Sequence, residues 1–251
     1  MFPLKDNIPT DRFPIVTVAL IVANTLMYFL FQKGGILHGP SNANVIEYGA
    51  IPCELAHPGQ HVDAVGNQLQ CVSGPGGIPG APPTYLTVFF SMFMHGSILH
   101  LAGNMLFLWI FGNNVEDAMG RAKFLAFYVL GGIAALALQT LVGSGAAVPT
   151  VGASGAIAAV LGGYVLLYPR ARVVTVIFLV IFFTVLELPA LVVLGLWFVQ
   201  QAVFGATNLT DPTGGGGGVA YFAHIGGFLF GLLVIRAIAR AKPMPPRFTV
   251  S

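Results

Sequence analysis

Six stretches of this chain are apolar enough, and long enough, to be read against a lipid bilayer, and that constraint precedes every other. A membrane-crossing helix needs about 20 mainly apolar residues. Such runs lie near residues 13–32, 86–112, 124–142, 153–168, 173–205 and 219–239. Only 8% of the residues are charged, against about 25% in soluble domains. The chain therefore reads as an all-α, polytopic membrane bundle forming a single domain over residues 1–251, with the lipid bilayer as its surroundings. A net charge of +2 with no basic block excludes a nucleic-acid surface.

The fifth run is too long for one upright helix and too short for two, at about 1.5 Å of rise per residue. Leu186-Glu187-Leu188-Pro189 interrupts it. Proline favours a helix start, and an acid in the first turn suits the helix dipole. Residues 173–185 are thus expected to form an interfacial or re-entrant piece and 187–205 the span. The first run follows Lys5 and Arg12, as a signal peptide would, but it is too long and lacks a small-x-small cleavage site, so it reads as a retained anchor.

Basic residues set the orientation. Lys5 and Arg12 precede span 1, Arg121 and Lys123 join spans 2 and 3, Arg170 and Arg172 follow span 4, and Arg236, Arg240, Lys242 and Arg247 end the chain. With six spans, all ten fall on one side, which predicts cytoplasmic N- and C-termini and a short basic tail over 240–251. Only Lys33 lies outside. A seventh span would break this asymmetry.

Residues 33–85 then form a long outer loop containing the chain's two cysteines, Cys53 and Cys71. In an oxidising compartment they are expected to pair as a disulfide, two free thiols being the alternative. A second outer loop holds five consecutive glycines, Gly214 to Gly218. It is expected to be mobile, either gating a site or simply slack.

Polar residues are few and concentrated. His100 and Asn104, four apart, share a helix face in the outer half of span 2. At membrane depth such residues either bond neighbouring helices or mark function. Span 4 opens with Gly152-Ala153-Ser154-Gly155 and carries small residues at 154, 158 and 162, while span 6 carries His224 and Gly227-x-x-x-Gly231. Small-xxx-small spacing lets helices approach closely, which would set Ser154 and His224 side by side at similar depth. A neutral imidazole is the usual base for a serine nucleophile. Backbone N–H groups in a helix's first turn, with room left by Gly155, can receive an oxyanion, helped by Asn104 and His100. No acid stands at that depth: Glu116, Asp117 and Glu187 map to the cytoplasmic side, and Asp211 to the glycine-rich loop. The chemistry predicted is a Ser154–His224 dyad without a third carboxylate. No metal and no cofactor are expected, since His95 and His100 are five apart with no acid nearby.

These motifs resemble those of the rhomboid intramembrane serine proteases. His95-x4-His100-x3-Asn104, Gly152-Ala153-Ser154-Gly155 and Ala223-His224-Ile225-Gly226-Gly227 stand in the family's order, and the turn from Gly112 to Gly120 is similar too. The likeness covers about residues 10–240. It implies Ser154 as nucleophile, His224 as base, and Asn104, His100 and the Ser154 amide as oxyanion donors, with Gly152 and His95 supporting them. It also implies a substrate that is another protein's transmembrane segment, cleaved near its outer end. The expected location is a bacterial plasma membrane with the site opening to the outer face. Two departures stand out. Some members place a tyrosine four residues after the serine, stacked on the histidine, where this chain has Ala158, and the two-cysteine loop is not general. The alternatives are a non-proteolytic relative that binds membrane clients and, less well supported, a small transporter, for which the inner halves of the spans offer no polar route.

Overall fold

The structure, a computed structural model, describes residues 2–65, 68–74, 76–77, 81–179, 182–210 and 219–240. In chain order its elements are β1 (Phe2–Asp6), α1 (Ile15–Phe31), α2 (Asn42–Tyr48), α3 (Pro52–Ala56), β2 (Gln60–Val65), β3 (Gln68–Ser73), α4 (Thr84–Ser91), α5 (Ile98–Met119), α6 (Arg121–Val142), α7 (Ser154–Leu167), β4 (Arg172–Leu179), β5 (Phe182–Pro189), α8 (Ala190–Thr210) and α9 (Tyr221–Ile238). Helices α5, α6, α8 and α9 are long and apolar enough to cross a membrane, while α1 and α7 are apolar but shorter. The Gly214 to Gly218 loop, Asp211 and most of the 240–251 tail lie outside the described residues.

The expectation of an all-α fold needs correcting. Residues 173–185 form no re-entrant helix, because β4 and β5 pair antiparallel, Arg172 opposite Pro189 and Thr175 opposite Leu186. β1 adds to the other edge of β4, giving the order β1-β4-β5. A run dense in Val, Ile, Thr and Phe suits a pleated ladder better than a helix. Glu187 opens no helix either. It stands in β5 with its carboxylate 3.5 Å from Arg172 at the base of the hairpin, and α8 starts only after Pro189.

Span 2 is also reorganised, since residues 86–112 are not one helix. The short α4 ends at Ser91, and Ser97, in extended conformation, accepts from the His100 amide at 3.1 Å to cap a new helix. Serine at that position satisfies an N–H that the helix itself leaves unpaired. α5 then runs through the expected Gly112 to Gly120 turn as far as Met119, and the chain reverses at Gly120, whose φ of 83° suits glycine.

The centre of the bundle is α7, where most residues from Gly155 to Leu167 are buried. Its contact with α9 is backbone on backbone, as the small-residue stripes predicted. A methyl group placed on Gly227 would overlap the Gly155 carbonyl oxygen, and one on Gly231 the Ala159 carbonyl; one on Gly162 would overlap the Phe228 carbonyl. At these three points no side chain fits between the helices.

The ends of the bundle are tied differently. At the end carrying β1, Glu116 accepts from the Val16 amide at 3.1 Å and from both the amide and hydroxyl of Thr17 at 2.8 Å, so a buried carboxylate caps α1. Nearby, Asp6 accepts from the Asn114 amide at 2.6 Å and the Tyr164 hydroxyl at 2.5 Å. Burial pushes the Asp6 carboxyl up to about 6, despite the Tyr164 hydrogen bond that opposes the shift.

At the other end, the described residues of the 33–85 loop are structured. β2 and β3 form a hairpin, Cys53 and Cys71 are disulfide-bonded across 18 residues, and Ile51, Cys53 and Val62 make a small core. Closing a loop of that size stabilises by about 3 kcal/mol. The loop also grips the segment leading to Ser154: Ala50 and Thr150 exchange both backbone hydrogen bonds, at 3.1 and 2.7 Å.

Two outcomes follow. Gly231→Ala should destabilise the protein by about 1–3 kcal/mol through overpacking, read as a lowered unfolding midpoint in detergent. For Asp6, the folded-state value of about 6 exceeds the unfolded value of about 3.9, so the native state holds the proton more tightly. Its contribution is fully present below about pH 4 and is lost as pH rises through about 6. Thermal stability should fall over that window, and Asp6→Asn should flatten the slope.

Candidate active site

Ser154 is the first residue of α7, and His224 sits in the first turn of α9. Because the two helices touch through glycine backbones, their first turns meet. The Ser154 hydroxyl donates to His224 Nε2 at 2.8 Å, and His224 Nδ1 donates to the Gln201 Oε1 at 2.8 Å. The predicted pair is therefore in contact. Gln139 accepts from the Ala223 amide at 3.2 Å and so ties α6 to the start of α9.

The pair opens on a cavity of about 600 Å³ whose wall includes His100, Asn104, Ser154, Trp197 and His224. That volume falls in the usual range for ligand sites. Asn104 Nδ2 donates to His95 Nε2 at 2.9 Å, and the His95 and His100 rings meet edge to face with centroids 5.1 Å apart. His95 is fully buried, lies in the turn before α5 rather than on a helix, and is clamped by Gln32: its amide donates to Gln32 Oε1 at 2.8 Å, and its carbonyl accepts from Gln32 Nε2 at 3.1 Å. His95 thus steadies the two residues that face the cavity.

The glycines flanking Ser154 have separate tasks. Gly152 has φ of 134°, and a Cβ there would lie 2.8 Å from the His100 ring and 3.4 Å from Ser154 Oγ. Its amide donates to the Ser91 carbonyl at 2.8 Å, fixing the approach to α7. Gly155, expected to leave room for an oxyanion, is instead buried in the helix interface, where a methyl would meet Ala135 Cβ at 2.6 Å. Its smallness is spent on packing.

Gln201 and Trp197 were not anticipated from sequence. The rule that singled out His100 and Asn104, a polar side chain within an apolar span, also applies to Gln201. Trp197 precedes it by four residues, which places both on one face of α8. Glu116, Asp117 and Glu187 all lie away from the cavity wall, and among the described residues no three metal-binding side chains gather.

Fold and site together define an integral membrane protein of packed helices with a serine and a histidine in contact beside a cavity. A family model, the rhomboid domain, matches residues 82–241, and the chain belongs to the rhomboid family. It is 32% identical over 160 residues to presenilin-associated rhomboid-like protein A, mitochondrial, of Danio rerio, covering 62% of this chain and 38% of that protein. It is 30% identical over 167 residues to rhomboid protein 1, mitochondrial, of Saccharomyces cerevisiae, covering 62% and 42%. With the human presenilin-associated rhomboid-like protein, mitochondrial, the identity is 32% over 150 residues, covering 58% and 36%. The chain thus spans about two fifths of the length of the curated relatives it matches. Their names place them in mitochondria, which does not fit the bacterial plasma membrane expected from the sequence.

Gly152→Ala puts a side chain where φ is positive and the His100 ring already stands. The variant should fold, yet Ser154 should react with a fluorophosphonate about a hundredfold more slowly, since a displacement near 1 Å can cost that much; time-resolved labelling measures it.

Proposed function

We propose that this protein is an intramembrane serine endopeptidase that hydrolyses a peptide bond in or near the outer end of another protein's transmembrane segment. The observation that carries the reading is the 2.8 Å hydrogen bond from Ser154 Oγ to His224 Nε2 at the wall of a cavity within an apolar bundle. The topology proposed with it has six spans and both termini in the cytoplasm, which sets the pair at the outer end. Family membership supports it.

In the first step His224 Nε2 takes the hydroxyl proton as Ser154 Oγ attacks the scissile carbonyl carbon. The carbonyl oxygen becomes an oxyanion. Asn104, whose amide is steadied by His95, the His100 ring and the Ser154 backbone N–H are the donors proposed to receive it. The imidazolium then returns its proton to the leaving amine, the C–N bond breaks, and an acyl group remains on Ser154. Water, deprotonated by His224, hydrolyses that ester and frees the enzyme. Ser154 and His224 are both only partly buried, so water has a route to the ester.

The purified protein should be labelled covalently at Ser154 by a fluorophosphonate and should cleave a model transmembrane substrate in detergent micelles. Ser154→Ala should lose both activities, and His224→Ala should lose cleavage. Mass spectrometry of the labelled peptide and gel analysis of the substrate provide the readouts. A wild-type protein that neither labels nor cleaves would favour a non-proteolytic client-binding relative.

A further inference from the structure

We infer that Gln201 is the positioning residue of the catalytic base: its side-chain oxygen fixes His224 in the tautomer and orientation that accept the Ser154 proton. The inference rests on the protease reading above and supplies what a bare serine–histidine pair lacks. A neutral imidazole has two tautomers, and only the one with its proton on Nδ1 leaves Nε2 free to accept. An amide oxygen can accept but never donate. With Gln201 Oε1 2.8 Å from His224 Nδ1, the ring proton sits on Nδ1 and the Nε2 lone pair faces Ser154 Oγ, also at 2.8 Å.

The surroundings of Gln201 agree with this task. The side chain is only 7% exposed, on a helix whose other faces are largely apolar, whereas its neighbour Gln200 is exposed. Burying an amide without a partner costs free energy, so its bond to His224 compensates a position that an aliphatic residue would otherwise occupy more favourably. Trp197, one turn earlier on the same face, lies with its ring centroid 5.7 Å from the imidazole at an interplanar angle of 38°, and it also packs on Phe228, one turn beyond His224. The imidazole is thus held within its plane by the amide and across its plane by the indole.

α8 supplies a restraint that α7 does not. Ala158, fully buried on α7, lies so close to α9 that a methyl on Gly227 would stand 3.2 Å from its Cβ. Ala158 carries no ring to lay on the histidine, and the side chains that contact the imidazole from α8 are Trp197 and Gln201. A neutral amide also orients the ring without burying a second charge in a low-dielectric site, where ionised groups carry a large desolvation cost.

The test compares Gln201→Leu, Gln201→Asn and Gln201→Glu in the full-length protein. Leucine removes the acceptor, asparagine keeps it one methylene short, and glutamate restores an acceptor of the right reach. Loss of an orienting partner should lower kcat about 10- to 100-fold in Gln201→Leu and Gln201→Asn while KM stays within about twofold, and Gln201→Glu should recover most of the rate. In 15N-histidine-labelled protein, the His224 signals, assigned by their absence in His224→Ala, should show Nδ1 protonated in wild type. In Gln201→Asn they should show a mixture of tautomers. Wild-type kcat in Gln201→Leu or Gln201→Asn overturns the inference. So does a loss that Gln201→Glu fails to repair, which would assign Gln201 to packing. The nitrogen signals are readable in an inert protein as well: wild type with Nδ1 protonated but no Ser154 labelling would sink the protease reading alone, and Nε2 protonated in an active wild type would sink this one alone.

Discussion

The site exists because two helices touch through their backbones. Gly227 sits against the Gly155 carbonyl and Gly231 against the Ala159 carbonyl, and the first of these contacts falls one residue after Ser154 and three after His224. In lipid, helices gain little from hiding apolar surface, since the solvent is apolar too. Close approach, with its dispersion contacts and local hydrogen bonds, is what holds α7 to α9. The distance between serine and histidine is therefore set by glycines that take no part in the chemistry.

A second regularity is the pairing of buried polar groups. Gln32 holds the His95 backbone, His95 accepts from Asn104, Gln139 accepts from the α9 backbone, and Gln201 accepts from His224. Three of these four pairings involve a glutamine, a side chain long enough to cross between helices and neutral enough to be buried without an ion's desolvation cost. Among the described residues no carboxylate lines the cavity, while Asp6 and Glu116 are used at the far end to bind β1 and α1.

Much of this could be read from the letters. Apolar runs marked the helices, small-residue spacing marked the α7–α9 contact, and a serine and a histidine at matching depth marked the pair. The rest depended on properties that single residues do not announce. Residues 173–189 are as apolar as a span, and their ladder becomes evident only with β1 beside it, about 170 residues away in sequence. The break at 92–97 rests on one serine cap, and serine also occurs within spans. Gly155 has the composition of an oxyanion loop, yet its neighbours across the interface make it a packing residue. Ala158 announced that a ring was missing, but which helix would replace it depended on the rotation of α8.

The bond between Asp6 and Tyr164 spans 158 residues, and β1 pairs with a strand made later still. In a chain synthesised and inserted from its N-terminus, residues 2–6 emerge long before either partner exists. The three-stranded sheet can close only after α7 has been made and the β4–β5 hairpin has emerged behind it. Contacts of such sequence separation are slow to form. Closure of this sheet is therefore a late step of biogenesis, and a nascent chain held open at β1 would carry its serine on a helix not yet fastened at its far end.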